Sequence, residues 1–243
     1  FLKRPYNELE IISCHLGNGA SICAIDHGRS VDTSMGLTPA EGLIMGTRCG
    51  DIDPAVLVRL LRSNGLKADE LDHLINRQSG LKGLSGLSND MREIEKAAHA
   101  GDHRCLLAFR TFCYRIRKYI GAYVAAMGGL DVLIFTGGIG QGSAGVRSVA
   151  CQGLDFMGIR IDENKNCAVA DGEAITCISA PNAPLSVLVV PTNEERMIAR
   201  ETLHVLNSRH IATILRNQKP IPLPIEVSAH HIHLTQEHVE ALF

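Results

Sequence analysis

The feature that most constrains the fold of this chain is an alternation of helical and continuously apolar segments after residue 100. Residues 103–127 carry apolar side chains at intervals of three and four, including Phe112 and Ile116, which is typical of an amphipathic helix. The apolar runs "DVLIF" at 131–135 and "LSVLVV" at 185–190 resemble strands that are covered on both faces. The alternation predicts an α/β fold with a mostly buried sheet.

The first part of the chain predicts strands joined by glycine-rich turns. Strands at 9–14 and 21–25 are predicted to pair around "GNG" at 17–19, and a third strand covers 30–33. Because Asn and Gly tolerate positive φ, "GNG" favours a tight hairpin turn. The same small residues also suit a turn whose backbone N–H groups approach a phosphate, and both interpretations stay open here.

The remaining elements are predicted from caps, breakers and periodicity. One helix begins with Asp53 as its N-cap and Pro54 at its first position, and it ends at Gly65. The glycine-serine segment "LKGLSGLS" at 81–88 is predicted to be a loop. Further helices are predicted over 68–80, from Asn89 or Asp90, over 142–154 and over 193–208. Further strands are predicted over 174–180 and 185–192, and the segment 131–140 is predicted to be a buried strand that runs into glycines.

Charge and composition exclude some classes of binding partner and predict the state of the cysteines. The net charge of −2 predicts no strongly basic surface, so nucleic acid is not an expected partner. No apolar run reaches the length of a membrane span and no signal-peptide pattern opens the chain, so no membrane partner is expected. The eight cysteines contain no CxxC pair and are predicted to be buried free thiols in a reducing cytoplasm.

Three stretches at predicted strand ends carry residues that suit phosphate or metal chemistry. "FTGGIGQGS" at 135–143 runs from a buried strand through glycines into a helix, which suits either phosphate binding or close helix–sheet packing. "VPTNEER" at 190–196 places Glu194 in a first helical turn, where a carboxylate either matches the helix dipole or binds Mg²⁺. "GLIMGTRCGDIDP" at 42–54 places Arg48 between glycines, as a surface arginine or as a phosphate clamp.

Five stretches of the sequence occur in an order that is specific to one enzyme family. They are "HLGNGAS", "VDTSMGLTPAEGLIMGTRCGDIDP", "NDMR", "FTGGIG" and "PTNEERMIAR". Over residues 8–205 the chain therefore resembles the acetate kinase family. The resemblance implies a ribonuclease H-like lobe of the actin, sugar-kinase and Hsp70 superfamily. It also implies a cytoplasmic homodimer that, with Mg²⁺, transfers a phosphoryl group reversibly between ATP and acetate to give acetyl phosphate and ADP.

The resemblance implies roles for individual residues. Arg48 matches the catalytic arginine that stabilises the transferring phosphoryl group, and Glu194 matches the glutamate associated with Mg²⁺. His15 either bonds a phosphate or only shapes the hairpin. The residues implied to bind ATP or ADP are His15, Leu16, Gly17, Asn18 and Gly19, then Asp90, Met91 and Arg92, and finally Gly138, Ile139, Gly140, Gln141 and Gly142.

The sequence departs from the family pattern at several points. Gln141 and Gly142 stand where the family usually has Glu-Asn, and Cys49 stands where it usually has Ser. The family's preceding lobe, with much of the acetate pocket, has no counterpart in these residues, so the chain is predicted to be a fragment that holds the nucleotide side of a cleft. A propionate or butyrate kinase and a non-catalytic nucleotide-binding fragment stay open as alternatives.

The last part of the chain differs from the rest. Prolines at 220, 222 and 224 cannot continue a helix and favour an extended linker, after which "IEVSAHHIHL" at 225–234 predicts a strand and Thr235 begins a helix. The predicted organisation is a nucleotide-binding lobe at 1–207, a linker at 208–224 and the start of another domain at 225–243.

The tail resembles the opening of the phosphate acyltransferases found with propanediol utilisation, with His230 in place of the usual arginine. Residues two apart on a strand face the same way, so His231 and His233 present two imidazoles together. The resemblance implies that this pair binds Zn²⁺ in an incomplete site, and a tail with incidental histidines is the alternative.

Overall fold

The computed structural model describes residues 2–63, 65–170, 172, 174–207, 227–228 and 231–232. The chain divides into two compact units, Phe1–Thr192 and Asn193–Phe243, and each is described by itself. The predicted linker at 208–224 lies outside the described residues, and the domain boundary at residue 207 stays a prediction. No helix within the described residues is long and apolar enough to cross a bilayer.

The first unit is built on a six-stranded mixed sheet. Its strands are β1 (Glu10–Leu16), β2 (Ala20–Asp26), β3 (Arg29–Thr33), β4 (Val132–Thr136), β5 (Thr176–Cys177) and β6 (Ser186–Val189). The order is β3-β2-β1-β4-β6-β5, in which β1, β4 and β6 run parallel and β2 is antiparallel to both of its neighbours. This confirms the predicted α/β class and fits a ribonuclease H-like lobe.

Helices cover the sheet and carry the connections. They are α1 (Pro54–Ser63), α2 (Ala68–Arg77), α3 (Gly80–Ser85), α4 (Met91–His99), α5 (His103–Met127), α6 (Gly137–Gly142), α7 (Ala144–Cys151) and α8 (Glu163–Cys167) in the first unit, and α9 (Glu194–Asn207) in the second. Single 3₁₀ turns occur at Tyr6–Glu8 and Asp155–Met157.

The long helix α5 forms the centre of the core. The Asp102 carboxylate caps it by accepting from the N–H of Cys105 at 2.9 Å, and Gly128 ends it in a left-handed conformation. Phe112 and the other apolar residues of its stripe are buried against the sheet and against α3, α4 and α7. The helix predicted over 103–127 is therefore confirmed, and its apolar stripe belongs to the core.

Four cysteines are part of the same core. Cys14, Cys105, Cys113 and Cys151 are buried, whereas Cys167 is exposed. Burial raises the pKa of the Cys113 thiol to about 12, so this group stays protonated at neutral pH. The interpretation of the cysteines as buried thiols is confirmed for these four.

Parallel pairing brings the ends of β1 and β4 to the same edge of the sheet. His15 is the register partner of Thr136, so the segments that follow, 17–19 and 137–142, emerge side by side. Ligands of α/β proteins bind beyond the carboxyl ends of parallel strands. The fold therefore brings two of the predicted nucleotide-binding segments together.

The two hairpin turns of the sheet differ in their backbone. Between β2 and β3, His27 has a φ of 49° and Gly28 a φ of 80°, as a tight two-residue turn requires. No residue of the turn at 17–19 adopts a positive φ, so the conformational reason predicted for its glycines is wrong. A Cβ on Gly19 would lie 3.5 Å from Nη1 of Arg48, which is an ordinary van der Waals distance, so the described contacts do not require a glycine there.

The segment predicted as a loop at 81–88 contains most of helix α3. The N–H of Leu81 donates to the carbonyl of Met45 at 2.8 Å, and the N–H of Lys82 donates to the carbonyl of Gly46 at 2.9 Å. Leu81 is also completely buried. These tertiary contacts satisfy the first turn of the helix and override the low helix propensity of glycine and serine.

The buried strand predicted at 131–140 runs into its glycines as expected, since β4 ends at Thr136 and Gly137, with a φ of 78°, turns the chain into α6. Other predicted boundaries are wrong. The strand predicted over 174–180 shortens to β5, and α8 was not predicted. In the second unit, the strand predicted over 225–234 contains two strands that pair antiparallel, β7 (Val227–Ser228) and β8 (His231–Ile232). The helix predicted from Thr235 lies outside the described residues.

We expect Gly137→Ala to destabilise the first unit and Gly138→Ala to leave its stability nearly unchanged. A Cβ on Gly137 would lie 2.6 Å from the carbonyl oxygen of Leu16 at positive φ, whereas nothing lies within 4 Å of a Cβ on Gly138. Urea unfolding should show a loss on the order of 2 kcal/mol for the first variant. Equal stability of the two variants would contradict the close contact between α6 and β1.

Candidate functional site

A cavity of about 550 Å³ lies where the segments after β1 and β4 meet the start of α4. All three of the predicted nucleotide-binding segments contribute to its wall. The lining residues are Gly17, Asn18, Asn89, Asp90, Met91, Arg92, Glu95, Gly138, Ile139, Gly142 and Ser143. The volume falls within the range of small-molecule sites, roughly 300–1,000 Å³.

Asn18 connects the hairpin turn to two other segments. Its side-chain Oδ1 accepts from Nδ2 of Asn89 at 2.9 Å. Its carbonyl oxygen accepts from the N–H of Gly46 at 2.9 Å. The turn at 17–19 is therefore held on one side by the residue before α4 and on the other by the loop that carries Arg48.

Arg48 lies next to the hairpin turn rather than in the cavity wall. It is absent from the lining residues, and its Nη1 approaches Gly19 and the sulfur of Met45, the latter at 3.7 Å. The carbonyl of the neighbouring Thr47 accepts from the N–H of Ser79 at 3.0 Å. The backbone around Arg48 is thus fixed by hydrogen bonds to the segment that leads into α3.

Asp90 and Arg92 form the rim of the cavity at the start of α4. The Asp90 carboxylate accepts from the side-chain Nη2 of Arg92 at 2.6 Å and from its backbone N–H at 2.9 Å. These hydrogen bonds hold the pKa of Asp90 below its usual value, so its carboxylate is charged at neutral pH. Met91 is buried, whereas the Arg92 side chain is 90% exposed and faces solvent.

A buried arginine supports the wall formed by α6. Arg147 is 1% exposed, and its guanidinium donates to the carbonyl oxygens of Gly140 at 2.9 Å and Gln141 at 2.6 Å and to Asn166. No carboxylate lies within 4 Å of it among the described residues, and burial lowers its pKa. Its charge is therefore directed at the carbonyl end of α6, where the helix dipole is negative.

Glu95 and Ser143 line the cavity and were not predicted. The hydroxyl of Ser143 donates to Oε1 of Glu95 at 2.7 Å and accepts from the N–H of Val146 at 2.9 Å, so it caps α7 and links it to α4. The sequence holds a signal for Glu95, because a residue four positions after Met91 lies on the same face of the helix. Ser143 also has the residue type of an N-cap.

Several residues implied to bind nucleotide lie near the cavity without lining it. Leu16 and Gly140 are buried within the unit, and the carbonyl of Gly140 accepts from Arg147. The amide Nε2 of Gln141 lies 3.5 Å from Oγ1 of Thr192. His15 is half-buried at the end of β1. The roles of these residues stay predictions.

The predicted metal ligands belong to the second unit. Glu194 is exposed in the first turn of α9, whose Arg196 N–H donates to the Asn193 side chain at 2.9 Å. His231 begins β8, and His233 lies outside the described residues. No cluster of three metal-ligating side chains occurs in the part of the chain that the structure describes. The Mg²⁺ and Zn²⁺ assignments therefore stay predictions.

Comparison with known proteins identifies the family. The acetokinase family matches residues 1–200. The chain belongs to the acetokinase family. The acetate kinase of Dictyoglomus turgidum is 52% identical over 214 residues, which cover 88% of this chain and 52% of that protein. The chain thus spans about half the length of the curated relatives it matches, and the family match ends before the tail, whose resemblance stays a prediction.

Solved structures of an acetate kinase and of a propionate kinase share the fold. Porphyromonas gingivalis acetate kinase superimposes with a TM-score of 0.81 and 48% identity, over 85% of this chain and 51% of that one. A propionate kinase from Francisella tularensis superimposes with a TM-score of 0.74 and 42% identity, over 79% of this chain and 48% of that one. The predicted superfamily fold is confirmed.

We expect Tyr119 to titrate at about pH 12. Burial, and then a hydrogen bond to Oδ2 of Asp51 at 3.0 Å, raise the pKa of Tyr119 to about 12, because both disfavour a tyrosinate. Its contribution to folding is complete below about pH 10 and is lost as the pH rises from about 10 to about 12. Tyrosinate absorbance of the parent minus that of Tyr119→Phe measures this midpoint, which Asp51→Asn should lower. A midpoint near 10 in the parent would disprove the contact.

Proposed function

We propose that this chain is the nucleotide-binding half of a kinase that transfers a phosphoryl group reversibly between ATP and acetate. The observation that carries the proposal is the cavity in which the hairpin turn, the start of α4 and helix α6 meet. The relatives that are named acetate kinases support acetate as the acceptor and acetyl phosphate and ADP as the products.

The wall of the cavity fits a nucleotide. Nothing lies within 4 Å of a Cβ on Gly138 or Gly142, so side chains at these positions would enter the cavity instead of striking the protein. The missing side chains leave the backbone of α6 open to close approach by a ligand. Met91 and Ile139 add apolar surface suited to a base, and the glycines of the hairpin turn suit the phosphates.

Arg48 is the residue that we assign to the transferring phosphoryl group. Phosphoryl transfer spreads negative charge over the equatorial oxygens, so fixed donors and cations stabilise it more than a nucleophile does. Arg48 has no carboxylate within 4 Å among the described residues and lies beside Gly19 of the hairpin turn. Its guanidinium is therefore available to a phosphate held by that turn.

Mg²⁺ bound with the nucleotide would neutralise charge on the phosphates, and we assign Glu194 to it. A carboxylate oxygen is a ligand that Mg²⁺ prefers, either directly or through water. Glu194 is exposed in the first turn of α9, so its carboxylate is open to solvent. This assignment rests on the resemblance and on the chemistry of the side chain.

We expect Glu194→Gln to raise the Mg²⁺ concentration needed for half-maximal ATP binding, because a hard cation loses a charged oxygen. Glu195→Gln is the matched control, since Glu195 is the next residue in the same turn and is also exposed. Calorimetric titration with ATP at graded Mg²⁺ measures both. The same Mg²⁺ dependence in both variants would assign Glu194 to the helix dipole.

A propionate kinase is the second candidate, because the Francisella tularensis propionate kinase is 42% identical to this chain. The cavity described here is the nucleotide side of the site, so it does not discriminate among short carboxylates. Relative rates with acetate, propionate and butyrate would separate the two. The homodimer implied by the resemblance belongs to the same proposal, and sedimentation velocity tests it.

We expect residues 1–243 alone to bind ADP weakly and to form no acetyl phosphate. The nucleotide wall is present, but positioning of the acyl group, worth roughly 7–11 kcal/mol of barrier in such reactions, needs residues outside it. Gly138→Leu should abolish ADP binding in calorimetry while leaving the urea midpoint unchanged, because its side chain fills the cavity. ADP binding at the parental affinity in this variant would place the nucleotide elsewhere.

A hydroxamate assay tests the second half of this expectation. Acetyl phosphate made by the pure chain would show that the acyl side of the site also lies within these residues. A folded chain that binds no ADP would instead support a structural role for the glycines.

A further inference from the structure

We propose that Asp51, Arg115 and Tyr119 form a latch that positions Arg48 for the terminal phosphate of the nucleotide. These three residues do not line the cavity. They are positioning residues that act through Arg48. The inference rests on the proposed function and adds to it the residues that determine where the phosphate-binding arginine stands.

Arg48 lies in a loop that runs from Gly42 to Asp51, and the latch joins these two ends, which form the neck of the loop. The N–H of Gly42 donates to Oδ1 of Asp51 at 2.9 Å, and the N–H of Asp51 donates to the carbonyl of Gly42 at 3.0 Å. Gly50 has a φ of 70°, and a Cβ there would lie 2.6 Å from the carbonyl oxygen of Leu43. The two ends of the loop are therefore in direct contact, and Arg48 lies between them.

Helix α5 holds the Asp51 carboxylate. Nη1 of Arg115 donates to Oδ2 at 2.6 Å, and the Tyr119 hydroxyl donates to the same oxygen at 3.0 Å. The side chains of Arg115 and Asp51 are 22% and 37% exposed, so water partly screens the ion pair, and the Tyr119 hydroxyl adds a second contact to the same carboxylate. Because the apolar stripe of α5 is buried, the neck of the loop is anchored to a helix of the hydrophobic core.

Gly46, at the tip of the same loop, contacts the hairpin turn at 17–19. The N–H of Gly46 donates to the carbonyl of Asn18, and the carbonyl of Gly46 accepts from the N–H of Lys82, both at 2.9 Å. The loop is thus held at both neck and tip. Arg48 itself makes one side-chain hydrogen-bond contact in the described structure, a weak one with the sulfur of Met45 at 3.7 Å.

The backbone of the loop is held by several hydrogen bonds, whereas the side chain of Arg48 is held by one weak contact, and this contrast gives the latch its role. A guanidinium without a carboxylate partner is placed by its backbone, and here the backbone is placed by the latch and by the hairpin. If Asp51 is lost, the neck can open while the cavity wall keeps its own hydrogen bonds, such as the one between Asn18 and Asn89. The loss should therefore affect the terminal phosphate selectively.

The ratio of ATP affinity to ADP affinity isolates this effect, because the two ligands differ by the terminal phosphate alone. Calorimetry with the full chain and saturating Mg²⁺ should show that Arg48→Ala lowers ATP affinity roughly tenfold, as expected for a charge-assisted hydrogen bond, with ADP affinity within about twofold. Asp51→Asn should cause a loss of similar size. The double variant Arg48→Ala/Asp51→Asn should be no weaker than Arg48→Ala, because both changes remove the same interaction.

Two tyrosines of α5 supply a matched pair of variants. Tyr123 lies one helical turn beyond Tyr119, with ring centroids 5.6 Å apart, and its hydroxyl donates to Oδ1 of Asp32 at 3.3 Å. Tyr119→Phe and Tyr123→Phe each remove one hydroxyl from the same helix, but Tyr119 alone belongs to the latch. We expect a smaller selective loss of ATP affinity in Tyr119→Phe and none in Tyr123→Phe.

The outcomes separate the latch from the proposed function. A selective loss in Arg48→Ala with an unchanged ratio in Asp51→Asn and Tyr119→Phe would overturn the latch and leave the function standing. An unchanged ratio in Arg48→Ala would overturn the contact of Arg48 with the terminal phosphate of bound ATP, and the latch with it. Equal losses of ATP affinity and ADP affinity in Asp51→Asn, or additive losses of ATP affinity in the double variant, would show that Asp51 stabilises the fold and does not position Arg48. If Asp51→Asn does not fold, the ratio of ATP affinity to ADP affinity in Tyr119→Phe, compared with that in Tyr123→Phe, decides whether the latch positions Arg48.

Discussion

The parallel pairing of β1 with β4 is the constraint on which the candidate site depends. Parallel strands end at the same edge of the sheet. The register of this pair, in which His15 lies opposite Thr136, places the ends of the two strands at the same level. An antiparallel pair would send the two glycine segments to opposite edges of the sheet. Gly137 completes the arrangement, because only a residue without a Cβ can turn the chain at this distance from Leu16.

Glycine segments approach ligands closely but cannot anchor themselves, so each one depends on side chains elsewhere. Arg147 holds the carbonyl end of α6 from within the core, and Asn89 holds Asn18 across the mouth of the cavity. The loop of Arg48 depends on Asp51 in the same way. Arg147 and Asp51 thus fix segments of the site without lining the cavity themselves, whereas Asn89 both lines the cavity and fixes the hairpin turn.

This dependence explains what the sequence could and could not predict. Helix 103–127 follows from local periodicity, and the hairpin of β1 and β2 follows from two apolar runs around a short glycine-rich segment. Both are confirmed, although the turn does not adopt the positive φ that its residues would tolerate. Helix α3 was missed because its first amides bond to Met45 and Gly46, residues far along the chain that no local propensity includes. Arg147 was missed for a related reason, since an arginine in an amphipathic helix normally indicates a solvent-facing position.

The three segments of the cavity could be brought together only through the family resemblance. Nothing in the periodicity of residues 90–92 relates them to a turn at 17–19. The hydrogen bond between Asn89 and Asn18 that joins these segments is visible only in the folded structure. Pattern reasoning predicts elements well because their causes are local, and it predicts sites poorly because a site is a set of long-range contacts.

The charges of the cavity fit one orientation of the nucleotide better than the other. Its carboxylates, Asp90 and Glu95, both belong to the α4 side, where Arg92 and Ser143 already hydrogen-bond to them. Bound phosphates would be repelled there, whereas the hydroxyl and amino groups of a nucleoside could donate to the remaining carboxylate oxygens. The hairpin residues that line the cavity, Gly17 and Asn18, carry no charge, and the turn lies next to Arg48, whose guanidinium has no carboxylate within 4 Å among the described residues. Under the proposed function, this distribution of charge favours the phosphates at the hairpin and the nucleoside at α4, an orientation in which the terminal phosphate would face the arginine that the latch positions.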